Sequence, residues 1–365
     1  MKRIKLFFKK YIPLPALICF LLAALCGVCH LFAVFNEGFA EWLSSTVGYA
    51  FRRALSWLSG LLPFSVAECL IILSPLIIAL VIVFAVRGRG GEGKVRFLAG
   101  VLAVLSLFYS SYAMTLGVGY HRDSLNERMS IEKTAVTAEN LYDTLIILKK
   151  KCAELSEELS LSEGGSSVMP LEFGEVSRQV VIGYERLSEE YPELNIKNFD
   201  SRAKAVLLSK PMSKLELLGV YTFFTGESNV NVYYPDYTVP FTVAHELAHQ
   251  RGIARENEAN FLAFAVCIRA DDPYVRYSGY MNMFEYVASA LSKTDKKLLR
   301  SAYEGLHPNM LSEMRAYSAF YKENKNEFWG TVSDTVNDTY LKAQGTEGII
   351  SYGLVVELCV AYYAE

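Results

Sequence analysis

Three long apolar runs in the first third of the chain, Leu14 to Phe35, Val66 to Val86 and Phe97 to Val118, restrict what it can fold into. A helix needs roughly 20 apolar residues to cross a hydrocarbon core, and each run is long enough. Only His30 interrupts the first, and its length and lack of a small-residue cleavage site distinguish it from a cleaved signal peptide. Pro75 lies inside the second, where a spanning helix tolerates it because neighbouring groups re-satisfy the freed carbonyl. The third ends among Tyr109, Tyr112 and Tyr120, as an interfacial aromatic belt would. The reading is three transmembrane helices at about 14–35, 66–86 and 97–118, so that residues 1–118 form a multi-pass anchor in the lipid bilayer. Between the first two, Trp42, Val47, Phe51, Leu55 and Leu58 recur at helical spacing with Arg52 and Arg53 on another side. That pattern predicts an amphipathic helix on the membrane surface over Glu41 to Leu62.

Short-loop lysine and arginine stay cytoplasmic. Lys2, Arg3, Lys5, Lys9 and Lys10 precede the first run, and Arg87, Arg89, Lys94 and Arg96 join the second to the third. Three crossings from a cytoplasmic N-terminus put residues 119–365 outside the cytoplasm.

Those residues have the mixed charge of a globular domain. A net charge of −3 and the lack of a basic run there give no footprint for nucleic acid, so none is expected as a partner. Of the seven cysteines, Cys19, Cys26, Cys29 and Cys69 belong to the apolar part, leaving Cys152, Cys267 and Cys359 too scattered for a disulfide framework. Cys26 and Cys29 are CxxC by spacing but read as helix packing.

In the second part Leu141, Leu145, Leu148, Cys152 and Leu155 predict a helix over Thr137 to Leu159, and Val176 to Tyr191 a second, stopped by Pro192. Gly219–Gly226 and Ser228–Tyr234 read as two short strands about a turn. Pro240 suits the first turn of the next helix and Gly252 its end. Glu256 to Arg269, Tyr280 to Leu291, Pro308 to Lys322 and Ser351 to Tyr363 have helical spacing. The fold class expected is mainly α: three N-terminal transmembrane helices, then a mostly helical α+β domain with a small sheet.

The helix before Gly252 carries His245-Glu246-Leu247-Ala248-His249. Histidines four apart share a helix face, so both imidazoles can hold one Zn²⁺, which favours nitrogen ligands in tetrahedral geometry. Glu246 points beside such a metal, where it can act as general base toward a zinc-activated water. A catalytic site needs a third protein ligand and keeps a position for water. Glu256 and Glu258 are the near candidates, and two residues apart on a helix only one can reach the metal. Glu258 shares a face with Leu262 and Ala265, which favours it as the ligand, with Glu256 at the helix start.

Glu258-Ala259-Asn260 after the HELAH helix resembles the E-A-D or E-A-N element of gluzincin-type peptidases, in which the glutamate completes the zinc site. Asn260 stands where many gluzincins have aspartate. More closely, Phe223 to Phe261, with Gly119-Tyr120-His121-Arg122 and Ser351-Tyr352-Gly353, resembles a family of bacterial membrane proteins known only as a domain of unknown function. The resemblance implies a zincin-like domain over 119–365 in a bacterial cell membrane.

The expectation is thus a membrane-anchored zinc metallopeptidase hydrolysing peptide bonds of a peptide or protein substrate outside the cytoplasm. Zincins commonly add substrate as a strand beside an edge strand, and Ser228, Asn229, Val230 and Asn231 fall on the candidate strand. His307, Tyr280 and Tyr352 are the candidates for stabilising the oxyanion. The alternative is a non-enzymatic protein whose structural zinc supports binding of a partner or envelope component. An intramembrane protease is excluded, since Arg251, Arg255, Glu256 and Glu258 surround the motif.

Overall fold

A computed structural model describes residues 11–87, 90–197, 199, 202–344, 346 and 354–364. From the N-terminus, α1 (Leu14–Val34) is followed by α2 (Glu37–Leu43), a π-helical turn Ser44–Gly48, α3 (Tyr49–Gly60), α4 (Val66–Arg87) and α5 (Gly90–Thr115). Helices α1, α4 and α5 are long and apolar enough to cross a membrane. Their large side chains, Leu21, Ile78 and Leu105 among them, face outward. That is the inverse of a water-soluble surface and suits lipid. Small residues let α1 and α5 approach each other: Ala16, Cys26 and Ala33 are buried on one, Ala99, Ala103 and Ala113 on the other.

The helix expected over Glu41 to Leu62 is present as continuous helix from Glu37 to Gly60, but it carries a π turn in its middle. Asn36 caps α2 by accepting from the Phe39 amide, and the π turn then inserts its wider register before α3. A π turn rotates the residues beyond it relative to an unbroken α-helix. Arg52 therefore points inward, fully buried, and donates to the carbonyls of Ser44 (2.9 Å) and Thr115 (3.4 Å).

A 3₁₀ turn, Gly117–His121, leads directly into α6 (Leu125–Met129), α7 (Ala138–Ser156) and α8 (Phe173–Glu190). Then come β1 (Lys204–Ala205), α9 (Ser209–Ser213), β2 (Gly219–Thr222), β3 (Glu227–Val230), α10 (Thr238–Gln250), α11 (Glu256–Cys267) and α12 (Pro273–Thr294). α13 (Lys296–Tyr303), α14 (Pro308–Asn324), α15 (Glu327–Ala343) and α16 (Val355–Ala364) complete the order. The apolar stripe Leu141 to Leu155 is buried on α7, which packs along α12. Each such side chain removed from water contributes about 1.5–3 kcal/mol. α10 packs on α11, α12 and the sheet, and α11 is buried from Glu258 to Cys267 on every side.

The sheet has the order β1-β3-β2. β1 runs parallel to β3, and β2 pairs antiparallel to it with Gly219 opposite Val230 and Thr222 opposite Glu227. The two strands about a turn are present, but β3 is central. Asn229 and Val230 therefore have partners on both sides, and the edge strands are β1 and β2.

The two parts of the chain are joined by buried polar contacts. The Glu227 carboxylate of β3 accepts from the Val66 and Ala67 amides, both at 2.9 Å, at the start of α4. These N–H groups have no partner within their own helix, so an anion there is favourable. Lys204 of β1 binds Glu227 at 2.6 Å and donates to the carbonyls of Ser59 and Phe64. Glu68 accepts from Leu208, Ser111 donates to the Phe223 carbonyl, and Phe223 and Phe224 stack around Phe108 of α5.

Candidate metal centre

α10 follows β3 through a turn at Pro235 and ends where Gly252 adopts φ +90°, a conformation that side-chain-bearing residues rarely take. On it the His245 and His249 rings face each other with their Nε2 atoms 3.0 Å apart. His249 Nδ1 lies 2.8 Å from the Ile253 carbonyl. Donation there fixes the tautomer and leaves Nε2 as a lone pair. α11 then brings Glu256 back against α10, its Oε2 lying 3.2 Å from His245 Nε2 and 3.6 Å from His249 Nε2.

These three atoms fit a zinc ion. Metal–ligand bonds of about 2.0–2.1 Å in a tetrahedron put ligand atoms roughly 3.3 Å apart, close to the three separations here. Electrostatics point the same way. Burial would depress His249, but the Glu256 carboxylate beside it outweighs this and raises it to about 9. Burial would raise Glu256, and the two histidines instead pull it well below the usual carboxylate range. The pocket thus favours positive charge next to a carboxylate.

Glu246 projects beside this triad. Burial raises its pKa against the lowering effect of His245 and His249, and its Oε2 is buried without a hydrogen-bond partner. Gly219 makes room for it: a Cβ there would lie 2.5 Å from Glu246 Oε1. Ser228, under the helix, donates to the Glu246 carbonyl at 2.9 Å. A cleft of ≈ 520 Å³ opens over His245 and Glu246, bounded by Leu217 to Gly219 on one side and by α12, α14 and α15 on the others. Its charged lining residues are Glu216, Glu246, Glu285 and Asp334, with His245 and no lysine or arginine among the described residues. Burial, with Glu313 nearby, holds Glu285 at about 7 despite the Tyr237 hydroxyl that donates to it.

Residues 44–360 match the family described as "Protein of unknown function (DUF3810)". The chain belongs to this family. No curated protein and no solved structure matches it. The DUF3810 region takes in α4, α5, the sheet and both helices of the triad, so these two apolar helices and the site are parts of one family unit, and α1 precedes the matched residues.

Within the DUF3810 region several residues stand elsewhere than the sequence suggests. Glu258, expected beside the histidines, faces away from them. Its Oε1 accepts from the Leu125 amide (3.0 Å) and Arg255 (2.9 Å), its Oε2 from Arg128 (3.1 Å). Apolar company could not identify its face, because α11 is apolar and buried all round. The signal available was Asn260, four residues after Glu256 and polar within an apolar stretch. It lines the cleft with its amide nitrogen unpaired.

Ser228, Asn229, Val230 and Asn231 are buried in or just beyond the central strand and do not line the cleft. Asn229 donates to Thr222 Oγ1, and Asn231 to Ser213 Oγ and the Leu217 carbonyl. Tyr280 packs on Phe264 in the core. His307 caps α14, accepting from the Asn309 amide, and lies 3.4 Å from Glu157 at the surface. Tyr352 lies outside the described residues. The tyrosines lining the cleft are Tyr286 of α12 and Tyr317 of α14. Burial pushes the Tyr317 hydroxyl up to about 12 and raises that of Tyr286 as well, so both remain protonated donors.

Proposed function

We propose that this chain is a membrane-anchored zinc peptidase with ligands His245, His249 and Glu256 and general base Glu246. The observation that carries the reading is the convergence of two imidazoles and a carboxylate at zinc-ligand separations next to the buried Glu246 carboxylate, whose Oε2 has no hydrogen-bond partner. A bound zinc ion supplies Lewis acidity and activates water near neutral pH. Glu246 takes a proton from the attacking water and returns it to the leaving amine. The free edge of β2, running past Glu246 at Gly219, offers backbone groups to an extended substrate. Tyr286 supplies a donor for charge developing on the carbonyl oxygen. The acidic lining favours substrates carrying lysine or arginine near the cleaved bond.

The test is Glu246→Gln in the detergent-purified full chain, assayed for zinc content and for cleavage of an unstructured lysine-rich polypeptide. Zinc is expected to stay bound while hydrolysis falls by about 10²–10⁴. Retained zinc with unaltered cleavage removes Glu246 from the mechanism. Retained zinc without cleavage by the unsubstituted chain favours a structural metal in a binding domain.

The basic segments around α1 and between α4 and α5 support an extracytoplasmic site. A reporter active only outside the cytoplasm is expected to be active when fused after Glu365. A silent reporter there, with an active one at Gly91, inverts the orientation.

A further inference from the structure

α15 has two faces. Ser333 and Asn337 line the cleft, with Gly330 packed against Glu216 on the same side. At 100° per residue Phe328 lies opposite these residues and Val332 and Val336 continue from it around the helix, and Phe328 and Val336 are 67% and 65% exposed. Trp329 flanks them and is half exposed. An apolar stripe of this kind on a water-facing helix calls for something to cover it.

The two ends of α15 are held at the level where the spans finish. At its start Trp329 borders a groove with Lys210, Pro211, Lys214 and Leu215. That groove adjoins Leu207, 86% exposed, and Leu208, whose amide donates to Glu68 in the first turn of α4. At its other end Tyr340 meets the Tyr120 hydroxyl at 3.3 Å and the Tyr112 ring at 6.2 Å, Tyr112 belonging to the last turn of α5. Between these ends the β2–β3 turn reaches further down α5, to Phe108. Seventeen residues of helix span about 25 Å, enough to run from one span end to the other.

We propose that the Phe328, Val332 and Val336 face of α15 is seated in the outer headgroup–acyl boundary of the bilayer, making α15 both an interfacial helix and the membrane-side wall of the cleft. The lipid surface is the occupant because one end of α15 meets the last turn of α5 through Tyr340 and the other borders the segment that binds the first turn of α4. Trp329 and Lys210 with Lys214 supply the aromatic and cationic groups that interfacial helices place at headgroups. The seating does not depend on any activity. If the peptidase reading also holds, substrates are polypeptides whose cleaved bond lies within a few residues of the membrane surface.

The chain has three tryptophans, and Trp42→Phe with Trp57→Phe leaves Trp329 as the sole emitter. In full-length chain reconstituted singly in nanodiscs, lipids brominated near the headgroup end of the acyl chain are expected to quench its emission by about twofold or more, while aqueous iodide quenches little. Quenching by iodide and not by bromolipid overturns the proposal. Protection from both quenchers also overturns it, because the stripe is then covered by protein. Should the double variant fold poorly, Trp329→Phe alone is compared with the unsubstituted chain. Loss of the bromolipid-quenched emission supports the seating, and its persistence in full counts against it.

Discussion

At the scale of single residues, two glutamates two positions apart have opposite tasks. Glu256 faces the histidines, and Glu258 closes a buried pair with Arg128 and Arg255. Glu256→Ala is therefore expected to strip zinc with little loss of fold, as metal analysis beside a thermal melt of the metal-free chain would record. Glu258→Ala leaves Arg128 buried without its carboxylate, which typically costs about 3–5 kcal/mol, and is expected to lower the melting temperature whether or not metal is present. Zinc loss with Glu258→Ala at an unchanged melting temperature would return the ligand role to Glu258. The histidine spacing made two members of the cluster readable, because i and i+4 fix a face without tertiary information. The third was not, since choosing between Glu256 and Glu258 requires the direction in which α11 returns. That direction is set by the turn at Gly252.

At the scale of elements, this turn joins both ligand helices and is braced from the membrane part. A Cβ on Gly252 would lie 2.5 Å from the Arg52 guanidinium, and Arg122, itself paired with Glu41, reaches the Gly252 carbonyl at 3.4 Å. Gly252→Ala meets both a φ of +90° and this close contact. The strain alone is of order 1–3 kcal/mol, and the separation of α10 from α11 should change with it. Zinc affinity is expected to fall at least about tenfold by competition with a chromogenic chelator, with α-helical content retained; undiminished affinity would show that the turn is not critical. The strongly periodic helices were legible, α7 and α8 to within a few residues, because one apolar stripe meets one core. α13 and α15 were not anticipated. α15 spends its apolar face outward, so its pattern does not announce a place in the core. The sheet was legible as two strands, but β1 is a two-residue strand whose parallel pairing with β3 joins distant segments. Its addition turned the supposed edge into the centre.

At the scale of the whole molecule, the apolar runs gave away three helices long and apolar enough to cross a membrane, yet nothing in their composition marked how firmly they hold the rest. Glu227 is the key to that hold. Its carboxylate grips the first turn of α4 on one side and Lys204 on the other, while its strand lies beneath the helix carrying Glu246. Tilting of α4 would therefore pull directly on the sheet through this carboxylate. A helix whose apolar length differs from the hydrocarbon thickness tilts or deforms the bilayer, at a cost of fractions of a kcal/mol per Å. Acyl-chain length would thus set the geometry of the proposed site. In vesicles graded from short to long chains, the turnover of the proposed peptidase should pass through a maximum, and Glu227→Gln should flatten that dependence. A profile indifferent to chain length would mean that the grip does not transmit tilt. If the maximum is found, the thickness of the surrounding lipid acts on this protein as an effector does, without occupying a binding pocket.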